Sequence, residues 1–159
     1  MNKKTNTILI LILFGLSISL IFAYIIEYGL GHEPCKLCMY QRFPYILSIL
    51  LVLSVLLIKK NVKIHLLMLS VVSLLGAILA FYHFGIEQGF FEESTTCATG
   101  NLSNTLSKNE LLEQLKQNSI SCKDVSFKIL GLSLATINTF FSLILSAIFL
   151  KFYINYEKN

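Results

Sequence analysis

The residues of this chain best suited to chemistry are its four cysteines, Cys35, Cys38, Cys97 and Cys122. Cys35-Lys36-Leu37-Cys38 is a C-x-x-C unit. A disulfide across two residues closes almost no loop, so it removes little unfolded-chain entropy and stabilises little. Such a pair is more naturally a redox couple. Pro34, just before it, restricts the backbone leading into the turn. A helix starting near Cys38 would set the positive end of its dipole at that sulfur and favour the thiolate there. Arg42, four residues on, shares the same helical face. Its guanidinium would favour the thiolate further and could donate hydrogen bonds to a carbonyl oxygen of a bound ring. The bland alternative is an arginine that snorkels to an interface. Joining Cys97 to Cys122 closes a loop of about 26 residues, worth about 3 kcal/mol in the chain-entropy model, so a purely structural bridge is a serious alternative for that pair.

The elements that must position these groups are apolar. The chain has 159 residues, of which 55% are hydrophobic and 14% charged, with a mean hydropathy of +0.69. A soluble domain carries about 25% charged residues. Four blocks approach the roughly 20 apolar residues that cross a bilayer as a helix with every backbone group satisfied internally. They cover about 8–27, 41–58, 64–86 and 129–153, leaving two loops at about 28–40 and 87–128. The fold class expected is therefore an all-α membrane protein, a four-transmembrane-helix bundle forming one integral membrane domain over 1–159. A cleaved signal peptide is the alternative for the first block, given Lys3 and Lys4, but the stretch is too long and no small-x-small site follows Ala23.

Basic residues orient the bundle. Lys3, Lys4, Lys59, Lys60, Lys63, Lys151 and Lys158 mark the cytoplasmic ends. Glu27, Glu33, Glu87, Glu92, Glu93, Glu110, Glu113 and Asp124 fall toward the opposite loops. Both termini are predicted to be cytoplasmic and both cysteine-bearing loops extracytoplasmic. The net charge of +4 is a topology signal that needs no nucleic acid as partner. Disulfides persist on the oxidising side of a membrane. Four cysteines divided two and two between neighbouring outer loops thus read as two disulfides that can meet. The same reasoning argues against a zinc site, although four cysteines could in principle form one.

Between Cys97 and Cys122, Ser107-Lys108-Asn109-Glu110 has the form of a capping box. Leu111, Leu112 and Leu115 then make one apolar face, predicting a short amphipathic helix on the membrane surface. His83 lies one turn before the outer end of the third span, where it could donate a hydrogen bond or carry a proton; its alternative is a polar interface residue. Asn138, Ser133 and Thr136 are expected to bond between helices. Tyr24, Tyr28, Tyr40 and Tyr45 suit an aromatic belt. Gly15, Gly76 and Gly85 are expected to permit close helix packing.

Cys35-Lys36-Leu37-Cys38-Met39-Tyr40-Gln41-Arg42 resembles the C-x-L-C-x-x-Q-R signature of the DsbB family of disulfide bond formation proteins. Tyr82-His83-Phe84-Gly85-Ile86-Glu87-Gln88-Gly89 is similar to the Tyr-His-x-Gly-Val-Glu-x-Gly segment of some branches, and Gly131-Leu132-Ser133-Leu134-Ala135 with Asn138 to the start of the family's fourth helix. The resemblance implies a quinone-dependent protein-disulfide oxidoreductase of the bacterial cytoplasmic membrane. Its partner would be a DsbA-like thioredoxin-fold dithiol oxidase, and its acceptor ubiquinone or menaquinone in the lipid bilayer. Cys97 would form the mixed disulfide with the partner, and Cys122 would be its intramolecular mate and exchange with Cys35. Cys38 would face the quinone, with Arg42 and His83 beside it. Two readings compete. A vitamin K epoxide reductase-like protein also joins a helix bundle, a C-x-x-C and a loop pair to a quinone, but its C-x-x-C lies late in the chain. The other is a non-enzymatic membrane scaffold with two structural disulfides.

Overall fold

The computed structural model describes residues 3–92, 121–123, 128–129 and 131–157. Helix α1 (Lys3–Tyr24) continues into a π-helical turn, Ile25–Gly29. The chain leaves that turn through Gly31, whose φ of +71° suits a residue without a Cβ. A short helix α2 (Lys36–Tyr40) leads through Gln41 into α3 (Arg42–Leu57). Pro44 falls in the first turn of α3, where a missing N–H costs nothing. Lys59 and Asn61, both at positive φ, turn the chain into α4 (Val62–Glu87). Two-residue strands β1 (Lys128–Ile129) and β2 (Leu132–Ser133) pair antiparallel around Gly131 at φ +83°. Helix α5 (Leu134–Glu157) follows. The fourth span therefore begins at Leu134 rather than near 129, because the residues before it are spent on this hairpin.

Four stretches are long and apolar enough to cross a membrane: Lys3–Gly29, Lys36–Leu57, Val62–Glu87 and Leu134–Tyr156. Large apolar side chains such as Leu11, Phe14, Leu50, Leu75 and Phe140 point outward, which lipid tolerates and water would not. The protein is thus a helical, multi-pass membrane protein, as composition implies.

With lipid as solvent, helices associate through close packing and hydrogen bonds between them rather than through expulsion of water. The closest pair, α4 and α5, follows that rule. Ser70 Oγ donates to Ser146 O at 3.2 Å and Ser146 Oγ donates to Ser70 O at 3.0 Å, a reciprocal clasp between buried small residues. Gly76 lets α3 approach α4, since a Cβ there would lie 3.1 Å from Pro44 Cβ. Gly85 makes room for the Phe91 ring, which folds back over the end of α4 and stacks on Tyr82. Gly15 corrects the packing expectation, because nothing lies within 4 Å of a Cβ placed there. Ser133 and Thr136 likewise bond locally: Ser133 Oγ accepts the Thr136 N–H at 3.2 Å at the start of α5 instead of joining helices.

Two clusters fill the interior. Leu9, Leu16, Leu51, Val52, Val55, Val62, Leu66, Leu69, Leu145 and Phe149 pack the half nearest the turn between α3 and α4. At the opposite end a small cluster joins Cys35, Leu37, Ile86 and Cys122, with Cys38, Leu79 and Tyr82 against it. The fold thereby brings a cysteine of the second loop to the C-x-x-C. The expected amphipathic helix near 107–117 lies outside the described residues.

Candidate functional site

Cys35 is the N-cap of α2. Its φ of −67° and ψ of 164° are those of a cap, and its Sγ accepts the Cys38 N–H at 3.3 Å, the part a serine or aspartate oxygen plays elsewhere. The helix dipole therefore acts first on Cys35. The sequence reading placed the favoured thiolate at Cys38; α2 starts earlier than expected, at Lys36, and moves it to Cys35. The Cys35 and Cys38 sulfurs are free thiols 2.9 Å apart, sharing a hydrogen bond. That contact, with His83 adding to it against the opposing effect of burial, draws the Cys35 thiol down to about 4.

His83 comes from α4 and is buried, with Nε2 3.6 Å from Cys35 Sγ and 3.7 Å from Glu87 Oε1. Its other nitrogen, Nδ1, is 2.8 Å from Gln41 Nε2. Asn138 Nδ2 in turn donates to Gln41 Oε1 at 2.5 Å, and Tyr45 OH donates to Asn138 Oδ1 at 2.5 Å. A line of polar side chains thus runs from the thiols into the bundle across α3, α4 and α5. Asn138 joins helices as expected. Tyr45 does not sit in an aromatic belt; its hydroxyl is turned inward to Asn138, and its ring stacks on Phe141.

Arg42 has partners on the first span that the sequence reading did not give it. Its Nη1 lies 2.6 Å from Glu27 Oε2 as an ion pair, outside hydrogen-bond alignment, and its guanidinium lies 4.7 Å from the Tyr24 ring centroid. The π-helical turn carries Glu27 to this pairing; such turns interrupt helices frequently at functional sites. Arg42 is therefore anchored to the end of the first span.

A cavity of about 330 Å³ lies between these groups. Leu20, Phe22, Ala23 and Ile26 furnish apolar wall on one side, and Cys38, Arg42, His83 and Asn138 all line it. An apolar slot with a few converging polar groups is the usual form of a small-molecule site. The lining offers apolar wall for a flat ring and side-chain donors for its oxygens. Cys35, Cys38 and His83 also place their donor atoms within 4.8 Å of one another. Tetrahedral zinc with sulfur bonds of about 2.3 Å would hold its sulfurs about 3.8 Å apart, wider than the 2.9 Å found. The spacing is that of two thiols sharing a hydrogen bond, closer than two sulfurs on one such ion would stand.

Cys122 is buried, 1% exposed, and disulfide-bonded; its partner lies outside the described residues, as does Cys97. The second-loop cysteine thus shares a cluster with Cys35, and its backbone is within hydrogen-bond reach of the His83 ring. Sequence reasoning missed Gln41, Glu27 and Glu87 as members of this neighbourhood. The signal available was polarity: an amide or carboxylate in or at the end of an apolar span is costly and marks a site more often than a surface.

Fold and site define a class: a multi-pass helical membrane protein with a thiol pair at the head of an interhelical cavity. The sequence model of one family, described as Disulfide bond formation protein DsbB, matches residues 5–152. The uncharacterized protein RP370 of Rickettsia prowazekii (strain Madrid E) is 33% identical, an alignment covering 99% of this chain and 93% of that protein. The chain belongs to the DsbB family, and with it to the membrane oxidoreductases of disulfide bond formation.

Proposed function

We propose that the chain reoxidises the dithiol of a DsbA-like thioredoxin-fold protein outside the cytoplasmic membrane and passes the electrons to a membrane quinone. The observation that carries this reading is the position of the free Cys35–Cys38 pair, with Cys38 lining an apolar cavity that also presents Arg42 and His83. The excess of lysine on the opposite segments supports an extracytoplasmic placement of the sulfurs.

A series of exchanges would make up the cycle. A thiolate of the partner attacks the second-loop disulfide, with Cys97 taking the mixed disulfide and Cys122 leaving as thiolate. The Cys122 thiolate then attacks Cys35 of the Cys35–Cys38 disulfide and releases Cys38. The partner's second thiol frees Cys97 by closing the partner's own disulfide, and Cys97 closes again on Cys122, releasing Cys35 and leaving that pair as the dithiol. Cys35, as N-cap, leaves as a stabilised thiolate in the last of these exchanges. Closing the Cys35–Cys38 bond again, from a Cys35 thiolate and a Cys38 thiol, releases two electrons and one proton, and the second proton that a quinone takes up comes from the medium. A quinone held in the cavity supplies a two-electron, two-proton acceptor. Arg42, fixed by Glu27, would bind one acceptor oxygen, while His83 would hold a proton at the sulfurs. The apolar wall excludes water from the exchange.

The test is direct. Purified protein, fully reduced and then mixed with ubiquinone, should close Cys35–Cys38 within the time of turnover and should sustain oxidation of its native DsbA-like partner. A scaffold with structural disulfides would oxidise no faster with the quinone than without it.

A further inference from the structure

The polar line beneath the thiols has a direction. Tyr45 OH at 2.5 Å and Ser142 Oγ at 3.1 Å both donate to Asn138 Oδ1. Asn138 turns its nitrogen to Gln41 Oε1, which leaves the Gln41 nitrogen facing His83 Nδ1. A neutral imidazole has one donor nitrogen and one acceptor. With Nδ1 accepting from Gln41, the ring proton sits on Nε2, the nitrogen facing Cys35 Sγ and Glu87 Oε1. The reversed arrangement would aim a bare lone pair at a carboxylate and a sulfur, which is repulsive. An amide has its donor and acceptor on opposite sides, so one orientation at Asn138 is transmitted through Gln41 to the ring.

We propose that Gln41 and Asn138 are positioning residues for the dithiol: through a hydrogen-bonded chain across α3, α4 and α5 they fix the His83 tautomer whose Nε2–H faces the Cys35 sulfur. Neither touches a sulfur; both act through His83. The titratable groups facing Cys35 are then Cys38 on α2 and His83 on α4, with Glu87 behind the ring. The proposal rests on reading Cys35–Cys38 as a redox couple, but not on any particular electron acceptor.

Two isosteric substitutions act in opposite directions. In Asn138→Asp both side-chain atoms become acceptors, so Gln41 turns its nitrogen to residue 138 and its oxygen to His83. The ring must then donate from Nδ1, and Cys35 loses its donor. In Gln41→Glu a carboxylate accepts from Asn138 and from Nδ1–H together, so the ring can donate from both nitrogens. The readout is the equilibrium of Cys35–Cys38 with glutathione buffers, using full-length protein in detergent and peptide-resolved mass spectrometry after alkylation. Asn138→Asp should shift the equilibrium constant about tenfold toward the disulfide, and Gln41→Glu about tenfold toward the dithiol, the size expected for one hydrogen bond to an ionised group. A mere effect of added negative charge would push both toward the disulfide. The proposal is overturned if either constant stays where it was or if the two move together. Because no quinone is present, a failure of quinone-dependent oxidation would remove that reading while leaving this result standing.

Discussion

Cys35 caps the helix that carries Cys38: its sulfur accepts the Cys38 N–H at 3.3 Å and shares a hydrogen bond with the Cys38 sulfur at 2.9 Å. One residue thus holds both the helix end and the partner thiol, and its thiolate is stabilised by each.

The pH dependence follows from the lowered Cys35 thiol, about 4 in the folded protein against 9.0 for an unperturbed cysteine. A depressed value means that the thiolate stabilises the reduced folded state fully above about pH 9, and that this contribution is lost as pH falls through the folded value near 4. Alkylation of Cys35 by iodoacetamide should therefore proceed at a nearly constant rate from pH 6 to 8, where an ordinary thiol would accelerate about a hundredfold. A steep rise over that interval, followed by mass spectrometry, would remove the thiolate assignment.

Arg42 is held by Glu27 at 2.6 Å, so its guanidinium is aimed before any ligand arrives. Arg42→Ala should raise the apparent KM for ubiquinone about tenfold or more, the worth of a charge-assisted hydrogen bond, while dithiol exchange with the partner keeps its rate. Glu27→Gln should have a smaller effect of the same sign. Steady-state kinetics against quinone concentration separates the two steps; an unchanged KM in Arg42→Ala would mean an arginine that only anchors the first span.

The role assigned to the second-loop pair leads to a trapping result. With Cys122→Ser, the Cys97 thiolate attacks the oxidised partner's disulfide and releases the partner's other thiolate, giving a mixed disulfide that Cys122 can no longer resolve and that should accumulate as an adduct on non-reducing gels. Cys97→Ser should give no adduct with the native partner. Equal trapping by both variants would undo the assignment.

Packing gives a paired expectation for stability. Gly76→Ala sets a Cβ 3.1 Å from Pro44 Cβ and should lower the thermal midpoint in detergent, at a cost of about 1 kcal/mol or more for overpacking. Gly15→Ala meets nothing within 4 Å and should be neutral or slightly stabilising, as alanine is the better helix former. Matching losses at the two positions would contradict the packing described.

Much of this was legible in the residues. Apolar blocks fix the spans because lipid admits no other way to satisfy a backbone, and the spacing of Cys35 and Cys38 announces exchange because so small a loop stabilises nothing. The less legible part is geometry that depends on a shift of one turn or less. Starting α2 at Lys36 instead of near Cys38 decides which sulfur is the cap. The π-helical turn at Ile25–Gly29, invisible to helical periodicity, delivers Glu27 to Arg42. Gln41 reads as a polar residue flanking a motif until α4 and α5 bring His83 and Asn138 to either side of its amide.

The break at Gln41 separates reach from grip. Both sulfurs ride at the head of a five-residue helix, whereas Arg42 begins the next one and is moored to the neighbouring span. The thiols and the cation thus sit on adjoining helical segments, each fastened to a different neighbour: Cys35 against Ile86 of α4, Arg42 to Glu27 of the first span.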